Sequence, residues 1–256
     1  MPSNEVSLFQ GRHFAHKKLQ ELLSSMPDGK MLGLKRPIYL YDYDTACNIK
    51  QHNPDAKLIV ILRDPVERAV SDYYHAMNNA LIPLEDIETG IPRILNGEIS
   101  GNCPYAYQVI QHSKYSIYLD MYYSLFDKEQ FLLLRQENIK IDAQKEMNRL
   151  FDFLGLEYID VSKLSNEKFQ NVIYNMKYIK WLALLRKIES LTNDQGIVLQ
   201  RAVTTNPVKR YIINKSRNYI FSRQNVYEKK PISDKLAKQL TEYFKAEYNF
   251  LDQITV

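Results

Sequence analysis

The sequence has few cysteines and no long apolar run. Cys47 and Cys103 are the only two cysteines among 256 residues, too few for a disulfide framework, so a reducing compartment is favoured. No apolar run approaches the roughly 20 residues that cross a bilayer, and residues 1–18 lack the apolar core of a signal peptide. The histidines and cysteines show no metal-ligand spacing. We therefore expect a soluble, cytoplasmic protein with no metal and no stable membrane insertion.

The bulk composition is that of an ordinary globular chain, with 45% hydrophobic and 25% charged residues. The net charge of +4, from 34 basic and 30 acidic residues, is compatible with an anionic small molecule or an acidic polymer but requires neither. The 19 tyrosines lie in no recognisable nucleic-acid module, which favours packing over base stacking. We expect no nucleic-acid partner.

Apolar runs alternate along the chain with segments of helical periodicity. Residues 57–62 and 130–139 are predicted as buried strands because their apolar runs are continuous. Helices are predicted over 14–25, 44–52, 65–79, 105–126, 141–154 and 232–254. This alternation predicts an α/β fold with a parallel sheet and helices on both faces, which we expect to form a single domain over residues 1–256.

Two regions give weaker signals. Residues 38–41 are predicted as a short strand or turn. Residues 160–225 are basic and rich in Tyr, Asn and Lys, and we predict short helices there, on the substrate side of the domain.

The stretch LIVILRDPVERAVSDYYHAM, residues 58–77, joins a strand to a helix through a charged turn. Arg63 follows the strand, at the edge where open parallel sheets bind ligands. Asp64 suits the N-cap, a proline takes the first helical position, and Glu67 stands at the capping-box position. The first amides of the helix favour an anion, so this turn is a candidate anion site.

Two side chains would complete that site. Arg63 supplies a planar, permanently charged fork suited to phosphate, and Ser71, further along the helix, supplies a hydroxyl. The alternative is that Arg63 pairs with a nearby carboxylate and that Ser71 has no binding role. The residues of this stretch leave both interpretations open.

The segment KLIVILRDPVERAVSDYYH resembles the strand, turn and helix that bind the donor in PAPS-dependent sulfotransferases, of the carbohydrate, heparan-sulfate and bacterial types. PAPS is 3′-phosphoadenosine 5′-phosphosulfate. Three further segments resemble the family in the same order along the chain: GLKRPIYLYDYDTACNIKQHNPDAK, HSKYSIYLDMYYSLFDKEQFLLLRQENI and VYEKKPISDKLAKQLTEYFKAEYNFLDQI. The resemblance implies a three-layer, P-loop-like α/β core and PAPS as co-substrate.

The resemblance implies roles for particular residues. Arg63 and Ser71 match the arginine and serine that hold the 3′-phosphate. Lys229 and Lys230, with Arg223 behind them, match a basic loop that folds over this phosphate, although a solvated charge cluster is the alternative. Ser113 stands where the family usually has glycine.

The resemblance also points to residues of the acceptor side. Lys35 resembles a lysine near the acceptor. NEVSLFQG, residues 4–11, resembles the segment that carries the general base, which places that role on Glu5. The alternatives are a solvated Glu5 near a frayed terminus and a base at His13 or His16, each of which could also be an exposed bystander.

The family's loop for the 5′-phosphosulfate has no counterpart that we recognise. Residues 28–37, DGKMLGLKRP, lack the preceding strand and following Ser/Thr-rich helix that such a loop requires. We therefore expect the first strand and its loop to be missing. Unpaired strand groups are costly, so we expect either an upstream natural start, or N-terminal residues or a second chain of a homodimer that fill the gap.

The sequence thus predicts a sulfotransferase that transfers a sulfuryl group from PAPS to a hydroxyl or amine of a carbohydrate, glycolipid or small natural product. The alternative is a catalytically incomplete nucleotide-binding remnant or scaffold of the same fold. A kinase-like phosphotransferase is a third candidate, which the missing loop disfavours. We expect residues 78–104 and 160–225 to set the acceptor, because variable connecting segments commonly carry specificity.

Overall fold

The structure, a computed structural model, describes most of the chain in two compact units. The first unit comprises Met1–Leu62 and Tyr115–Lys163, and the second comprises Arg63–Lys114 and Leu164–Val256. The described residues are 9, 19–21, 24–25, 31–99, 103–163, 173–192, 198–201, 207–223, 229 and 231–254.

The first unit contains a parallel pair of strands flanked by helices. Strands β1 (Leu58–Leu62) and β2 (Phe131–Arg135) pair in parallel, with Leu58 opposite Phe131 and Leu62 opposite Arg135. The helices of this unit are α1 (Tyr43–His52), α5 (Tyr115–Tyr123), α6 (Gln136–Ile141) and α7 (Ala143–Leu154). The predicted α/β class with a parallel sheet between helices is confirmed.

Both predicted strands exist, but each differs from its prediction in one respect. Strand β2 ends at Arg135, because the apolar run ends there and the polar residues that follow form α6. Strand β1 is only partly buried: Ile59 and Ile61 are 41% and 58% exposed, since the described residues cover one face of the strand and not the other. Helix α7 ends, as predicted, at Gly155, whose φ of +71° suits glycine.

The second unit is built around α2 (Pro65–Asn78), the helix that follows the charged turn. Its buried stripe includes Ala69, Val70, Tyr73 and Met77, each at most 1% exposed, because apolar residues recur every three or four positions. Helix α2 packs against the other helices of this unit, which include α3 (Ile87–Leu95), α4 (Pro104–Gln111), α8 (Met176–Glu189) and α10 (Asp234–Tyr243). The helix of the candidate site is therefore also the centre of this core.

Two helices predicted as continuous are divided in the structure. The single helix expected over 105–126 is broken after α4, where Ser113 is fully buried and its hydroxyl donates to the Pro65 carbonyl at 3.0 Å. The single helix expected over 232–254 is broken at the buried Phe244 into α10 and α11 (Lys245–Gln253). The short strand or turn expected over 38–41 is a turn, formed as a 3₁₀ helix over Pro37–Tyr41.

The region 160–225 is helical in part, as predicted, but the two α-helices that the structure describes there have 14 and 15 residues and are not short. It contains α8 and α9 (Pro207–Phe221), but a short antiparallel pair, β3 (Ser190–Thr192) and β4 (Val198–Arg201), lies between them in the chain. Strands of three and four residues are too short to show a period in the sequence. None of the helices in the described part of the chain is long and apolar enough to span a membrane.

The packing of Gly90 on Tyr73 provides a stability test of the second unit. A Cβ atom at Gly90 would clash with Tyr73 Oη and lie 2.7 Å from Tyr73 Cζ, while the Tyr73 hydroxyl is held by the Glu85 carbonyl at 3.0 Å. We expect Gly90→Ala to lower the free energy of unfolding by about 1–3 kcal/mol, the range for overpacking a core. Urea titration of both forms measures the change.

Gly33→Ala is the matched control, because a Cβ atom there would meet nothing within 4 Å. We expect it to change the free energy of unfolding by less than about 0.5 kcal/mol. Equal effects of the two substitutions would contradict the packing described for Gly90.

Candidate functional site

The Asp64 side chain defines the start of α2. Its Oδ1 accepts a hydrogen bond from the Glu67 amide at 2.7 Å, and its Oδ2 accepts one from the Tyr248 hydroxyl of α11 at 2.8 Å. Pro65 occupies the first helical position, where no amide hydrogen is needed. The predicted cap is therefore confirmed. Because the Glu67 amide is already satisfied, an anion at this turn would be held chiefly by side chains.

Glu67 and Ser71 are four residues apart and so lie along one side of α2, and Arg63 lies two residues before the helix. Arg63 Nη2 donates to Glu67 Oε2 at 2.9 Å. Lys229 Nζ donates to the same oxygen at 2.5 Å. The carboxylate of Glu67 thus bridges two cations whose positions in the sequence are far apart.

The pairing of Arg63 with a carboxylate is the arrangement that the sequence left open as the alternative to an anion site. Two features of this pairing are nevertheless compatible with anion binding at Arg63. First, the side chain of Glu67 is 50% exposed, and ion pairs with exposed groups contribute little free energy. Second, one carboxylate faces two cations, so the three side chains together retain a positive charge. An anion with more than one charge can therefore compete for this position.

Glu67 is ionised at neutral pH. Its partial burial opposes ionisation, but the hydrogen bonds and charges of Lys229 and Arg63 outweigh this effect and lower the pKa of Glu67 below its ordinary value. The carboxylate therefore carries its full charge where it meets the two cations.

Ser71 lies one turn beyond Glu67, beside a second hydroxyl group. The Tyr174 hydroxyl is 3.5 Å from Ser71 Oγ, and the Tyr174 ring packs edge-on against Tyr74 with centroids 5.0 Å apart. Ser71 is half-buried. This side of α2 thus presents two hydroxyl groups one turn beyond Glu67.

Arg68 is also basic and also on α2, but its contacts are structural. It donates to the Val109 carbonyl at 3.3 Å, to Ser113 Oγ at 3.1 Å and to Asp72 Oδ2 at 3.2 Å. Burial, together with the charge of Arg68, lowers the pKa of His112 to about 4. Arg68 joins α2 to the end of α4.

Of the other predicted site residues, the structure describes two, Arg223 and Lys35. Arg223 donates to the Tyr219 hydroxyl at 2.7 Å, and its guanidinium lies 4.7 Å from the centroid of that ring. Lys35 is exposed in the first unit, in the extended segment before the 3₁₀ turn. The roles of both stay predictions. Glu5, His13, His16 and Lys230 lie outside the described residues.

Sequence reasoning missed three contributors to this site. The bridging role of Glu67 had a signal, because an Arg and a Glu four residues apart commonly pair on a helix. Tyr174 and Tyr248 had none, since each reaches α2 from a segment at least 100 residues away in the chain.

The sequence pattern of the sulfotransferase domain matches residues 45–245. The chain belongs to the sulfotransferase family. The match covers most of the chain and includes Arg63, Ser71 and Lys229, so the family resemblance of the sequence is confirmed.

Curated relatives are sulfotransferases with carbohydrate substrates in their names. The chain is 30% identical over 144 residues to human heparan sulfate glucosamine 3-O-sulfotransferase 3B1, covering 56% of this chain and 36% of that protein. It is 34% identical over 125 residues to human carbohydrate sulfotransferase 15, covering 42% of this chain and 22% of that protein. The matches thus span about a third or less of the length of these relatives.

A solved sulfotransferase structure also matches. The sulfotransferase from Alicyclobacillus acidocaldarius aligns with 60% of this chain and 63% of its own, at 21% sequence identity and a TM-score of 0.49.

The hydrogen bond between Tyr248 and Asp64 provides a test of how the site is supported. Burial, and then the hydrogen bond to Asp64, raise the pKa of Tyr248, so its hydroxyl stays a proton donor at neutral pH. We expect Tyr248→Phe to lower the free energy of unfolding by about 1–2 kcal/mol, because Asp64 loses a partner. Chemical denaturation followed by circular dichroism measures the change.

Tyr243→Phe is the matched control on the adjacent helix. Tyr243 is 40% exposed and its ring contacts Phe244 and Lys114, contacts that phenylalanine retains. A change of less than about 0.5 kcal/mol is expected there. A similar loss in both variants would argue against a supporting role for the Asp64 bond.

Proposed function

We propose that this member of the sulfotransferase family transfers a sulfuryl group from PAPS to a hydroxyl or amine of a carbohydrate. The observation that carries the proposal is the convergence of Arg63 and Lys229 on one oxygen position beside α2, with Ser71 one turn away. Family membership supports sulfuryl transfer. The heparan sulfate and carbohydrate sulfotransferases among the relatives support a carbohydrate acceptor.

The position of Glu67 Oε2 indicates what this site can bind. It receives charge-assisted hydrogen bonds from a guanidinium at 2.9 Å and an ammonium at 2.5 Å, the geometry that a phosphate oxygen would also accept. The carboxylate oxygen thus stands where an oxygen of the 3′-phosphate of PAPS would lie. The remaining donors of the Arg63 fork and the Ser71 hydroxyl are suited to the other phosphate oxygens.

The transfer itself is an in-line displacement at sulfur. An acceptor oxygen or nitrogen forms a bond to sulfur, the bond from sulfur to the bridging phosphate oxygen breaks, and adenosine 3′,5′-bisphosphate leaves with that electron pair. The acceptor proton passes to a general base, a role that we assign to Glu5 because residues 4–11 resemble the family segment that carries the base. Lys35 would then lie on the acceptor side.

Arg63, Ser71 and Lys229 would act on the nucleotide at the end opposite the reacting sulfur. A contact to the 3′-phosphate is made equally in the bound substrate and in the transition state. Such uniform binding lowers KM without raising kcat. The three residues are therefore binding residues, and their loss should appear in the KM for PAPS.

Arg63→Ala tests the nucleotide site directly. We expect it to weaken binding of adenosine 3′,5′-bisphosphate by about 1.5–3 kcal/mol, because a charged hydrogen-bond donor to phosphate is lost. Isothermal titration calorimetry measures this as a roughly ten- to hundredfold rise in Kd. Unchanged affinity would remove Arg63 from the site.

Arg93→Ala is the matched control for that experiment. Arg93 lies in the same unit and pairs with Glu85 and Glu98 at 2.8 and 3.1 Å. Its removal changes the net charge by the same amount as the removal of Arg63. We expect its effect on nucleotide binding to be less than twofold, roughly the 0.5 kcal/mol typical of surface substitutions.

Transfer of radiolabelled sulfate from PAPS to a panel of acceptors tests the reaction. We expect labelled product with heparan sulfate or another glycan, and a raised KM for PAPS with little change in kcat for Arg63→Ala. The panel should also contain glycolipids and small hydroxylated compounds, because the acceptor class is part of the proposal. Binding of adenosine 3′,5′-bisphosphate without turnover of any acceptor would instead support a non-catalytic remnant of the fold.

A further inference from the structure

Glu67 occupies an unexpected place for an acidic residue in a site that is proposed to bind phosphate. It lies on α2 one turn before Ser71, and Arg63, which precedes the helix, contacts its carboxylate. The same Oε2 atom accepts the hydrogen bonds of Arg63 at 2.9 Å and of Lys229 at 2.5 Å. An anionic ligand that used both cations would therefore need the position that this oxygen holds.

We propose that Glu67 is an internal competitor for the nucleotide: its carboxylate holds the position of a 3′-phosphate oxygen between Arg63 and Lys229, and it must leave that position when the nucleotide binds. This inference rests on the proposed function of the same site. It adds a residue that sets the strength and selectivity of nucleotide binding and that makes no favourable contact with the ligand.

The geometry excludes joint occupancy of the position. Two anionic oxygens cannot share one pair of donors at hydrogen-bond distance, and an adjacent carboxylate and phosphate repel each other strongly. Because the lowered pKa keeps Glu67 ionised at neutral pH, protonation does not relieve this repulsion there. The carboxylate therefore has to turn away, which its 50% exposure allows.

The helix start does not need the Glu67 carboxylate. Asp64 provides the cap by accepting from the Glu67 backbone amide, and this bond is independent of the Glu67 side chain. The side chain is not part of the buried core either. Its contacts with Arg63 and Lys229 are thus the interactions that a substitution would remove.

The competition has two consequences for binding. The carboxylate holds two cations together that would otherwise repel, so Lys229 is already beside α2 before the nucleotide arrives. The same carboxylate opposes weakly charged ligands, because only a group with a larger charge or more oxygens gains enough to displace it. Glu67 therefore lowers the affinity for nucleotides that carry the 3′-phosphate, donor and product alike, and leaves a nucleotide without this phosphate largely unaffected.

Glu67→Gln is the direct test, because it keeps the shape of the side chain and removes its charge. We expect the variant to bind adenosine 3′,5′-bisphosphate about three- to tenfold more tightly than the unmodified protein, since the exposed ion pairs that the ligand must displace are weak. Binding of adenosine 5′-monophosphate, which has no 3′-phosphate, should change by less than about twofold, on the scale of a surface substitution. Calorimetric titration of both nucleotides gives the two ratios.

Glu242→Gln controls for the loss of one negative charge. Glu242 is 74% exposed, lies in the same unit and makes a 3.6 Å ion pair with Lys245. Its substitution should leave both affinities within about twofold, because its cation partner is Lys245 and exposed charges are screened by salt. In a Lys229→Ala background, the gain from Glu67→Gln should shrink, since one of the two contested cations is absent.

The outcomes separate this inference from the proposed function. If the unmodified protein binds adenosine 3′,5′-bisphosphate and Glu67→Gln binds it with equal or lower affinity, the competitor role is overturned. The proposed nucleotide site would then stand. An equal gain in Glu242→Gln would reduce the effect to overall charge and would also overturn it. No binding of adenosine 3′,5′-bisphosphate by any variant would overturn both proposals. Glu67→Ala repeats the test with a different side chain, and thermal unfolding confirms that each variant is folded.

Discussion

The hydrogen bonds of the Asp64 carboxylate are the interaction on which the second unit depends. One oxygen caps α2 through the Glu67 amide, and the other holds the Tyr248 hydroxyl of α11. These two bonds set where α2 begins, and the start of α2 decides where Arg63 and Glu67 lie. Because α2 is also buried among the helices of its unit, the site is placed by the same packing that stabilises the core.

The two arginines near the start of α2, Arg63 and Arg68, have different roles. Arg68 is held by Asp72 of the same helix and by Val109 and Ser113, the contacts that join α2 to the end of α4. Among the described residues, Arg63 pairs with the exposed Glu67, which it shares with Lys229. A ligand can therefore replace the partner of Arg63 without disturbing the core, whereas replacing the partners of Arg68 would loosen the junction of α2 and α4. This difference explains how one helix can serve both packing and binding.

Features that depend on neighbours in the sequence were predictable. The Asp64 cap, the proline at the first helical position and the end of α7 at Gly155 each follow from local backbone chemistry, and the continuous apolar runs located both parallel strands. Features that depend on distant segments were not. The break at Ser113 arises because Arg68 and the Pro65 carbonyl hold its hydroxyl, and nothing in a helix-like pattern marks that contact.

The residues of the candidate site also divide into those that the sequence indicated and those that only tertiary packing brings to α2. Arg63 and Ser71 were indicated by the strand, turn and helix pattern, and Lys229 by the family resemblance. The pairing of Arg63 with a nearby carboxylate was left open as the alternative. Tyr174 and Tyr248 reach α2 through tertiary packing alone, so no spacing in the sequence predicted them. The β3–β4 pair was missed because its strands are too short to carry a pattern.

The central claim is that Arg63, Ser71 and Lys229 hold the 3′-phosphate of the nucleotide. A crystal structure of the protein with adenosine 3′,5′-bisphosphate tests this claim most directly. The account predicts 3′-phosphate oxygens within hydrogen-bond distance of all three side chains, with the Glu67 carboxylate turned away from Arg63. A nucleotide bound elsewhere, with the bridge from Arg63 through Glu67 to Lys229 still intact, would contradict it.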